Sequence, residues 1–497
     1  MKASEKSNRN QCMITSLDEM VDKNSRVRVI DAYVHSLDVE KLGYQVYTNK
    51  VGRPAYNPGD LIGLYLYSYM SRVLSSRKME EQTYINVEIM WLLNGAHPDH
   101  STIAGFRSKN AEALTNTFHD FTKICIDMGL VGKAVVAVDG TKIHANNNKK
   151  RNYNAKNLTE KLQRIDEQIH EFFQSLEEND RDDETIQLLE ERKAGYAAML
   201  DQLNSSDETQ ISTVDCDARL MDNKKGGLDV GYNIQATVEE TNGLVIDQYV
   251  INTPTDQGEL FVAANRAQNI LSNQELTVLA DKGYYNGEDL EKCFSHGITP
   301  IVARQKPPTR KGMFSLHQFI YNEETDSFIC PNNEVLTRIS GSEAKQAIYA
   351  NKAACKSCPY QAMCFKQGGK HRYRRLSRDS YLKVMQKADR IFEANKQLYH
   401  RRQELSEHVF GSIKRQLGFP QLNVRTKRKV SGEVSLLFLG YNFKRVMNLL
   451  GNTELIRYFK ERTNSVFQTI LSFVSNVRLL GRLGMTISIK FCSYSTV

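Results

Sequence analysis

Two largely apolar runs in this chain each stop at an aspartate. Val135-Val136-Ala137-Val138 leads into Asp139, and Leu276-Thr277-Val278-Leu279-Ala280 leads into Asp281. An unbroken apolar run of this length reads as a strand covered on both faces. Such strands belong to sheets flanked by helices, so the chain is constrained to an α/β arrangement. A carboxylate just past the strand lies at the mouth of the sheet, where α/β folds gather their chemistry. One strand-end Asp is ordinarily a turn residue. Two in the same setting, if their strands are neighbours, place like charges face to face. They stay ionised together only beside a cation, and hard oxygen donors of this kind suit Mg²⁺ or Mn²⁺.

The residues between and after the two runs complete a mixed sheet. Residues 232–238 and 244–251 read as strands, with Thr241-Asn242-Gly243 as the turn between them. A helix follows over 257–271, a shorter one over 288–294 and a last strand over 298–302. The first three strands can pair as antiparallel neighbours, whereas the later helical crossovers suit parallel pairing.

A third acid is expected from a helix across the same end of the sheet. In residues 401–415, Leu405, Val409 and Ile413, continued by Leu417, recur every four positions and define a buried stripe. Glu407 lies off that stripe and shares its face with Gly411 and Lys414, at i+4 and i+7. Glu404 competes for the same role, and an ordinary solvated surface with ion pairs accounts for either acid as well. Lys414 is placed to contact a phosphate. Two strand acids and one helix acid suit two-metal phosphoryl transfer, in which the acids position charge.

The remaining chain frames this core. Residues 1–133 read as a helical N-terminal domain. It has a turn at Tyr56-Asn57-Pro58-Gly59-Asp60, a helix from about Met79 to Leu93, an N-cap at Ser101 and basic helix ends at Arg72, Arg77, Lys78, Arg107 and Lys109. Such a module can bind DNA in a helix-turn-helix arrangement, although an ordinary helical domain looks the same. Within 150–210, two apolar stripes separated by a polar turn form an antiparallel helical hairpin. It reads as an outward-projecting arm or a contact with a second copy. Residues 305–380 hold Cys330, Cys355, Cys358 and Cys364 of the nine cysteines. The Cys-x2-Cys pair has zinc-knuckle spacing, and four thiolates imply a closed structural Zn²⁺ site. A basic run follows, including Arg372, Arg374 and Arg375, and a second lies at 425–429. The net charge of +8 is compatible with a polyanionic partner without demanding one. No run approaches the roughly 20 apolar residues of a membrane span and the start is polar, so a cytoplasmic protein is expected. Residues 451–497 form a tail without a functional reading. His144, His408 and Cys293 are read as structural, since nothing nearby completes a nucleophile–base pair.

Several of these motifs resemble the bacterial insertion-sequence transposases of the DDE type. They are Val138-Asp139-Gly140-Thr141-Lys142, Asp222-Asn223-Lys224-Lys225-Gly226-Gly227, Gly231-Tyr232-Asn233-Ile234-Gln235 and Asn252-Thr253-Pro254-Thr255-Asp256-Gln257-Gly258. Ala280-Asp281-Lys282-Gly283-Tyr284 and Ser406-Glu407-His408-Val409-Phe410-Gly411-Ser412-Ile413-Lys414 continue the series. Tyr56-Asn57-Pro58 and Asp99-His100-Ser101-Thr102-Ile103 extend it into the N-terminal helices. The resemblance implies a ribonuclease-H-like catalytic domain over 134–450 with Asp139, Asp281 and Glu407 as its triad for two Mg²⁺ or Mn²⁺ ions. It implies binding of terminal inverted repeats, cleavage at the element ends and joining of the 3′-OH ends to target DNA. DNA contacts are expected from Lys142, Tyr284, Arg372, Arg374, Arg375, Arg401, Arg402 and Lys414, with double-stranded DNA as partner and at least a homodimer in synapsis. The family often has a Tyr and an Arg at set distances before the Glu. Here Gln403 stands four before Glu407, with Arg401 and Arg402 slightly earlier, and His400 stands at the Tyr position beside Tyr399. The basic residue that touches the DNA end is therefore open. A nuclease that cuts without joining, and a relic that only binds DNA, are the competing readings.

Overall fold

The computed structural model describes residues 14–45, 55–175, 183–206, 210–222, 227–304, 312–314, 318–342, 345–365, 373–378, 380–419 and 421–464. It is a mixed α/β structure with many helices, divided into two compact units. One comprises Met1–Lys123, Ile143–Tyr232 and Gly411–Val497, and the other Ile124–Lys142 and Asn233–Phe410.

The first unit is mainly helical. Its helices include Arg26–His35, Pro58–Met70, Ser76–Ile85, Val87–Leu92, His100–Lys109 and, from the far end of the chain, Lys427–Leu450. Pro58 occupies the first turn of its helix, where a missing N–H costs nothing, and the Asn57 side chain accepts from the Gly59 N–H. The His100–Lys109 helix is capped by Asp99, which accepts from Thr102 N–H, and not by Ser101 as expected. A carboxylate is the stronger acceptor for the orphan donors of a first turn. The expected helix over Met79–Leu93 is two helices, broken where Asn86 turns extended and caps the second.

The expected boundary after residue 133, with 134–450 as one body, differs from this division. The reason is the Lys427–Leu450 helix, whose Glu433 is fully buried with the N-terminal helices and holds Arg107 at 2.8 Å. Gly432 permits the approach, since a Cβ there would come within 2.6 Å of the Ala111 Cα. Tyr33, Phe121, Phe443 and Phe459 pack their rings around the same core. The hairpin appears as helices Ala155–Ser175 and Asp183–Asn204, closed at its base by Tyr153, Leu158 and Leu203.

The second unit is built on the sheet. Strand β1 is Val135–His144, β2 Leu228–Glu239, β3 Val245–Ile251, β4 Leu276–Ala280 and β5 Ile298–Val302. Their order is β3-β2-β1-β4-β5. β1 pairs parallel with β4, and β4 with β5, whereas β2 and β3 form an antiparallel hairpin. A sixth strand, Arg219–Asp222, pairs antiparallel with Leu228–Gly231, the part of β2 in the first unit. Glu239 shapes the hairpin turn. Fully buried, it accepts backbone N–H groups of Gly132, Thr241, Asn242 and Leu244. A buried carboxylate with that many donors is a satisfied one. Helices Leu382–Ala394 and Lys396–Gly411 cover one sheet face, where Ile391, Phe392, Leu398, Tyr399 and Leu405 pack on Val135, Ala137, Leu279 and Ile301.

The cysteine segment folds as a small sheet of its own. Five antiparallel strands run in the order Leu376–Arg378, Lys345–Ala350, Val335–Ser342, Ser327–Ile329 and Ile320–Asn322. They carry a separate core of Phe319, Phe328, Leu336, Tyr349 and Leu376.

Candidate active site

The parallel register of β1 on β4 decides the geometry of the two strand-end acids. Val138 is paired with Ala280, so Asp139 and Asp281 are the next residues on adjacent strands. Adjacent strands lie about 4.8 Å apart. Each carboxylate has one oxygen anchored locally: Asp139 Oδ1 accepts from Gly140 N–H at 2.9 Å, and Asp281 Oδ1 from Gly283 N–H at 2.6 Å. Asp139 is raised above the usual carboxylate range, first by burial; the nearby Ser406 hydroxyl and Arg402 lower it and the Asp281 charge raises it. The donor set is thus carboxylate oxygen, partly desolvated and self-repelling, which fits a divalent cation of the Mg²⁺ type.

One face of the Lys396–Gly411 helix is turned to these acids. Arg402 Nη1 stands 3.7 Å from Asp139 Oδ2, and the Arg402 guanidinium lies over the Tyr399 ring. Ser406 is fully buried beside Asp139; its Oγ influences that carboxyl yet makes no hydrogen bond of good geometry. Tyr399, Arg402 and Ser406 follow one another at i, i+3 and i+7, as a single helical face requires. Glu407 is the next residue, about 100° further round. It is exposed, and its Oε1 accepts from Gln403 Nε2 at 2.9 Å. Oxygens of Asp139, Asp281 and Glu407 do not lie mutually within 4.8 Å. Glu404 is also exposed.

Sequence reasoning missed a fourth acid and its holders. Asp256, in the loop after β3, presents Oδ1 to Asn233 Nδ2 at 2.7 Å and Gln235 Nε2 at 2.8 Å. Asn233 and Gln235 are buried on one face of β2. Tyr284 is fully buried and donates its hydroxyl to Gln235 Oε1. Its hydroxyl is driven well above the tyrosine range, chiefly by burial and then by Asp256 and Asp139. The available signal was the spacing of Asn233 and Gln235: two amides at i and i+2 on a strand otherwise buried must be paired with something.

Two of the expected DNA contacts are corrected here. Tyr284 is enclosed and cannot reach a duplex. Arg374 is occupied within the cysteine segment, donating to Cys364 O at 2.8 Å and lying over the Phe319 ring. Arg107, read as a basic helix end, is buried against Glu433. Arg401 is exposed and paired with Glu240 at 2.9 Å, Lys142 is half-buried and Arg375 is exposed. Lys414 is exposed, but it lies in a π-helical turn, Ser412–Gln416. The α-helical phase that was to put it on the Glu407 face does not continue through that turn. Arg372 lies outside the described residues, as does the Asn223–Gly226 part of its motif.

Cys330, Cys355, Cys358 and Cys364 all line one small apolar cavity of about 20 Å³, together with Phe314, Phe319 and Leu336. Burial, and then the neighbouring thiols, push Cys364 up to about 11. No three of the four sulfurs lie mutually within 4.8 Å. Among the described residues, the one His, Cys, Asp or Glu trio that does is Asp215, Cys216 and Asp217. There Asp215 is already engaged by the Tyr232 hydroxyl and the Thr426 N–H. Among the described residues no helix is long and apolar enough to cross a membrane.

Comparison with known proteins follows the same lines. Residues 15–109 match a transposase domain model (DUF772), and residues 329–447 match a transposase DDE domain model. The second match spans all four clustered cysteines and the Lys396–Gly411 helix with Glu407, whereas Asp139 and Asp281 precede it. No curated protein matches the chain. Among solved structures, a cryo-EM structure of the piggyBac transposase synaptic complex with hairpin DNA aligns over 90% of this chain and 79% of that one. The identity is 8% and the TM-score 0.32, too low to carry an argument about this fold. The two domain matches, to a transposase domain and a transposase DDE domain, support an insertion-sequence transposase of the DDE type.

Proposed function

We propose that the protein binds the terminal inverted repeats of an insertion sequence, cleaves at the element ends and joins the 3′-OH ends to target DNA. The observation that carries this is the register of β1 on β4, which brings Asp139 and Asp281 side by side at one end of a parallel strand pair. Glu407, on a helix packed across the same strands, supplies the third carboxylate by turning away from Gln403. Bound to these acids, two Mg²⁺ or Mn²⁺ ions supply activation of the attacking oxygen and stabilisation of the leaving oxygen. Arg402 offsets the Asp139 charge and offers a donor to a phosphate arriving there. Lys142, Arg401, Lys414 and Arg375 are the remaining candidate phosphate contacts, and Lys109, Arg77 and Lys78 those of the N-terminal helices. The mixed sheet is read as ribonuclease-H-like, supported by its parallel β1-β4-β5 core and antiparallel β2-β3 edge. The four cysteines are read as the ligands of a structural Zn²⁺, supported by their convergence on one cavity. Synapsis of two element ends calls for at least a dimer.

The test is cleavage of a labelled duplex carrying the element end, with Mg²⁺. Asp139→Asn, Asp281→Asn and Glu407→Gln should each abolish cleavage while largely sparing DNA binding. Cleavage by all three variants would refute the site. Strand joining to a second duplex separates a transposase from a nuclease that only cuts.

A further inference from the structure

Asp256 is the acid that neither the resemblance nor the sequence pattern put in the site, and its environment matches that of the two strand-end aspartates. Each of the three has one oxygen anchored: Asp139 by Gly140 N–H, Asp281 by Gly283 N–H and Asp256 by two side-chain amides. In each the other oxygen accepts no hydrogen bond among the described residues; Asp139 Oδ2 has Arg402 at 3.7 Å, beyond hydrogen-bond reach. Two glycines let Asp256 come near the other two, although oxygens of the three do not lie mutually within 4.8 Å. A Cβ on Gly140 would lie 2.5 Å from Asp256 Oδ1. A Cβ on Gly283 would lie 2.9 Å from Asp281 Oδ1 and 3.7 Å from Asp256 Oδ2, so both open toward the same point.

The charge balance is incomplete. Among the described residues Arg402 is the one ion-pair partner for three carboxylates. A separate sign of a missing ligand is Ser406, wholly buried beside Asp139 with its Oγ unpartnered. The clamp is costly to build. Asn233 and Gln235 are buried amides, and Tyr284 is a buried phenol that fixes Gln235 so that its Nε2 points at Asp256. A surface turn residue needs no such support.

We propose that Asp256 is a further carboxylate ligand of the divalent-cation site, presented by the Asn233–Gln235 clamp with Oδ1 held and Oδ2 free for the ion. The inference rests on the reading of Asp139 and Asp281 as cation ligands. With three aspartates gathered in this unit, cation binding does not wait on Glu407, which joins from its exposed position on the helix. Asp256 then sets the affinity for the ion before DNA arrives.

The experiment is Mn²⁺ titration of the full-length protein without DNA, with free Mn²⁺ read by electron paramagnetic resonance. Melting and DNA-end binding in EDTA are measured alongside. Asp256→Asn should weaken Mn²⁺ binding at least about tenfold, as Asp139→Asn and Asp281→Asn do, with DNA-end binding in EDTA unchanged. Wild-type Mn²⁺ affinity in Asp256→Asn, with loss in Asp139→Asn and Asp281→Asn, overturns the proposal and leaves the active-site reading standing. Wild-type affinity in all three refutes that reading as well. If the Asn variant melts early, Asp256→Glu decides. It keeps the charge and should bind Mn²⁺ more tightly than the Asn variant, and equal affinities overturn the proposal.

Discussion

Arg402 Nη1 stands 3.7 Å from Asp139 Oδ2, so the positive charge nearest the first strand-end acid comes from the helix that also carries Glu407. A guanidinium there has two effects of opposite sign. It lowers the Asp139 pKa against the larger effect of burial, and it competes with a cation for the same oxygen. Arg402→Ala should therefore bind Mn²⁺ more tightly in the absence of DNA. It should also cleave more slowly, by about 10²-fold, because a positioned cationic donor to the phosphate is gone. Single-turnover cleavage beside metal titration separates the two. A parallel fall in both would mean that Arg402 only supports the local structure.

The buried pair of Arg107 and Glu433 ties the C-terminal helix to the N-terminal ones. Glu433 also accepts from the Asn423 N–H and side-chain amide. Glu433→Gln leaves a buried guanidinium without its counter-charge. The expected loss is about 3–5 kcal/mol, read as a lower denaturant midpoint. Replacing both partners with apolar residues should recover part of it.

His35 sets a pH dependence in the same unit. The Asp31 carboxylate and carbonyl hold its imidazole up to about 9, with Asp60 adding to the effect; burial works the other way. A raised folded pKa contributes stability that is full below about pH 6.5 and is lost as pH rises through about 9. The side chain is mostly exposed, so after screening the term is below about 1 kcal/mol. Thermal melting between pH 6 and 10 should show this decline, and His35→Gln should flatten it.

The legible part of this fold was whatever repeats or runs. The apolar strands into Asp139 and Asp281, the hairpin turn at 241–243 and the helical hairpin all follow from period and length. So do the buried Val409, Ile413 and Leu417 of the expected stripe, whose first member, Leu405, is only half-buried. What escaped depends on contacts distant in sequence. Asp256 sits in a loop with no period, and its meaning comes from Asn233 and Gln235, twenty-three and twenty-one residues earlier. Arg107 read as a surface cation because its partner, Glu433, lies at the other end of the chain. Lys414 was assigned by extending an α-helical phase through a turn that is π-helical, an irregularity no hydrophobic pattern announces.

Zinc is expected at one ion per chain, measured on protein purified without chelator. Cys355→Ser with Cys358→Ser should remove it and lower the melting temperature, since structural zinc contributes directly to folding. The five-stranded sheet has its own apolar core, so loss of the ion should loosen this segment without unfolding the rest. Limited proteolysis within 312–378 would report that. A zinc-free wild-type protein that melts normally would refute the assignment.

Gly140 offers the sharpest test of the clamp itself. A methyl group there would lie 2.5 Å from Asp256 Oδ1 and 2.7 Å from Gln235 Nε2, distances at which something must move. Overpacking of this kind costs about 1–3 kcal/mol. Asp256→Ala alone costs about as much, because it leaves the buried Asn233 and Gln235 amides with only long bonds, to Thr253 O at 3.4 Å and Asn233 Oδ1 at 3.3 Å. The double variant Gly140→Ala, Asp256→Ala should be less destabilised than the two single changes added together, since removing the carboxylate makes room for the methyl. Denaturant unfolding of the four proteins gives the coupling directly. Strict additivity would show that Asp256 does not lie over Gly140 in solution, and the clamp would have to be redrawn.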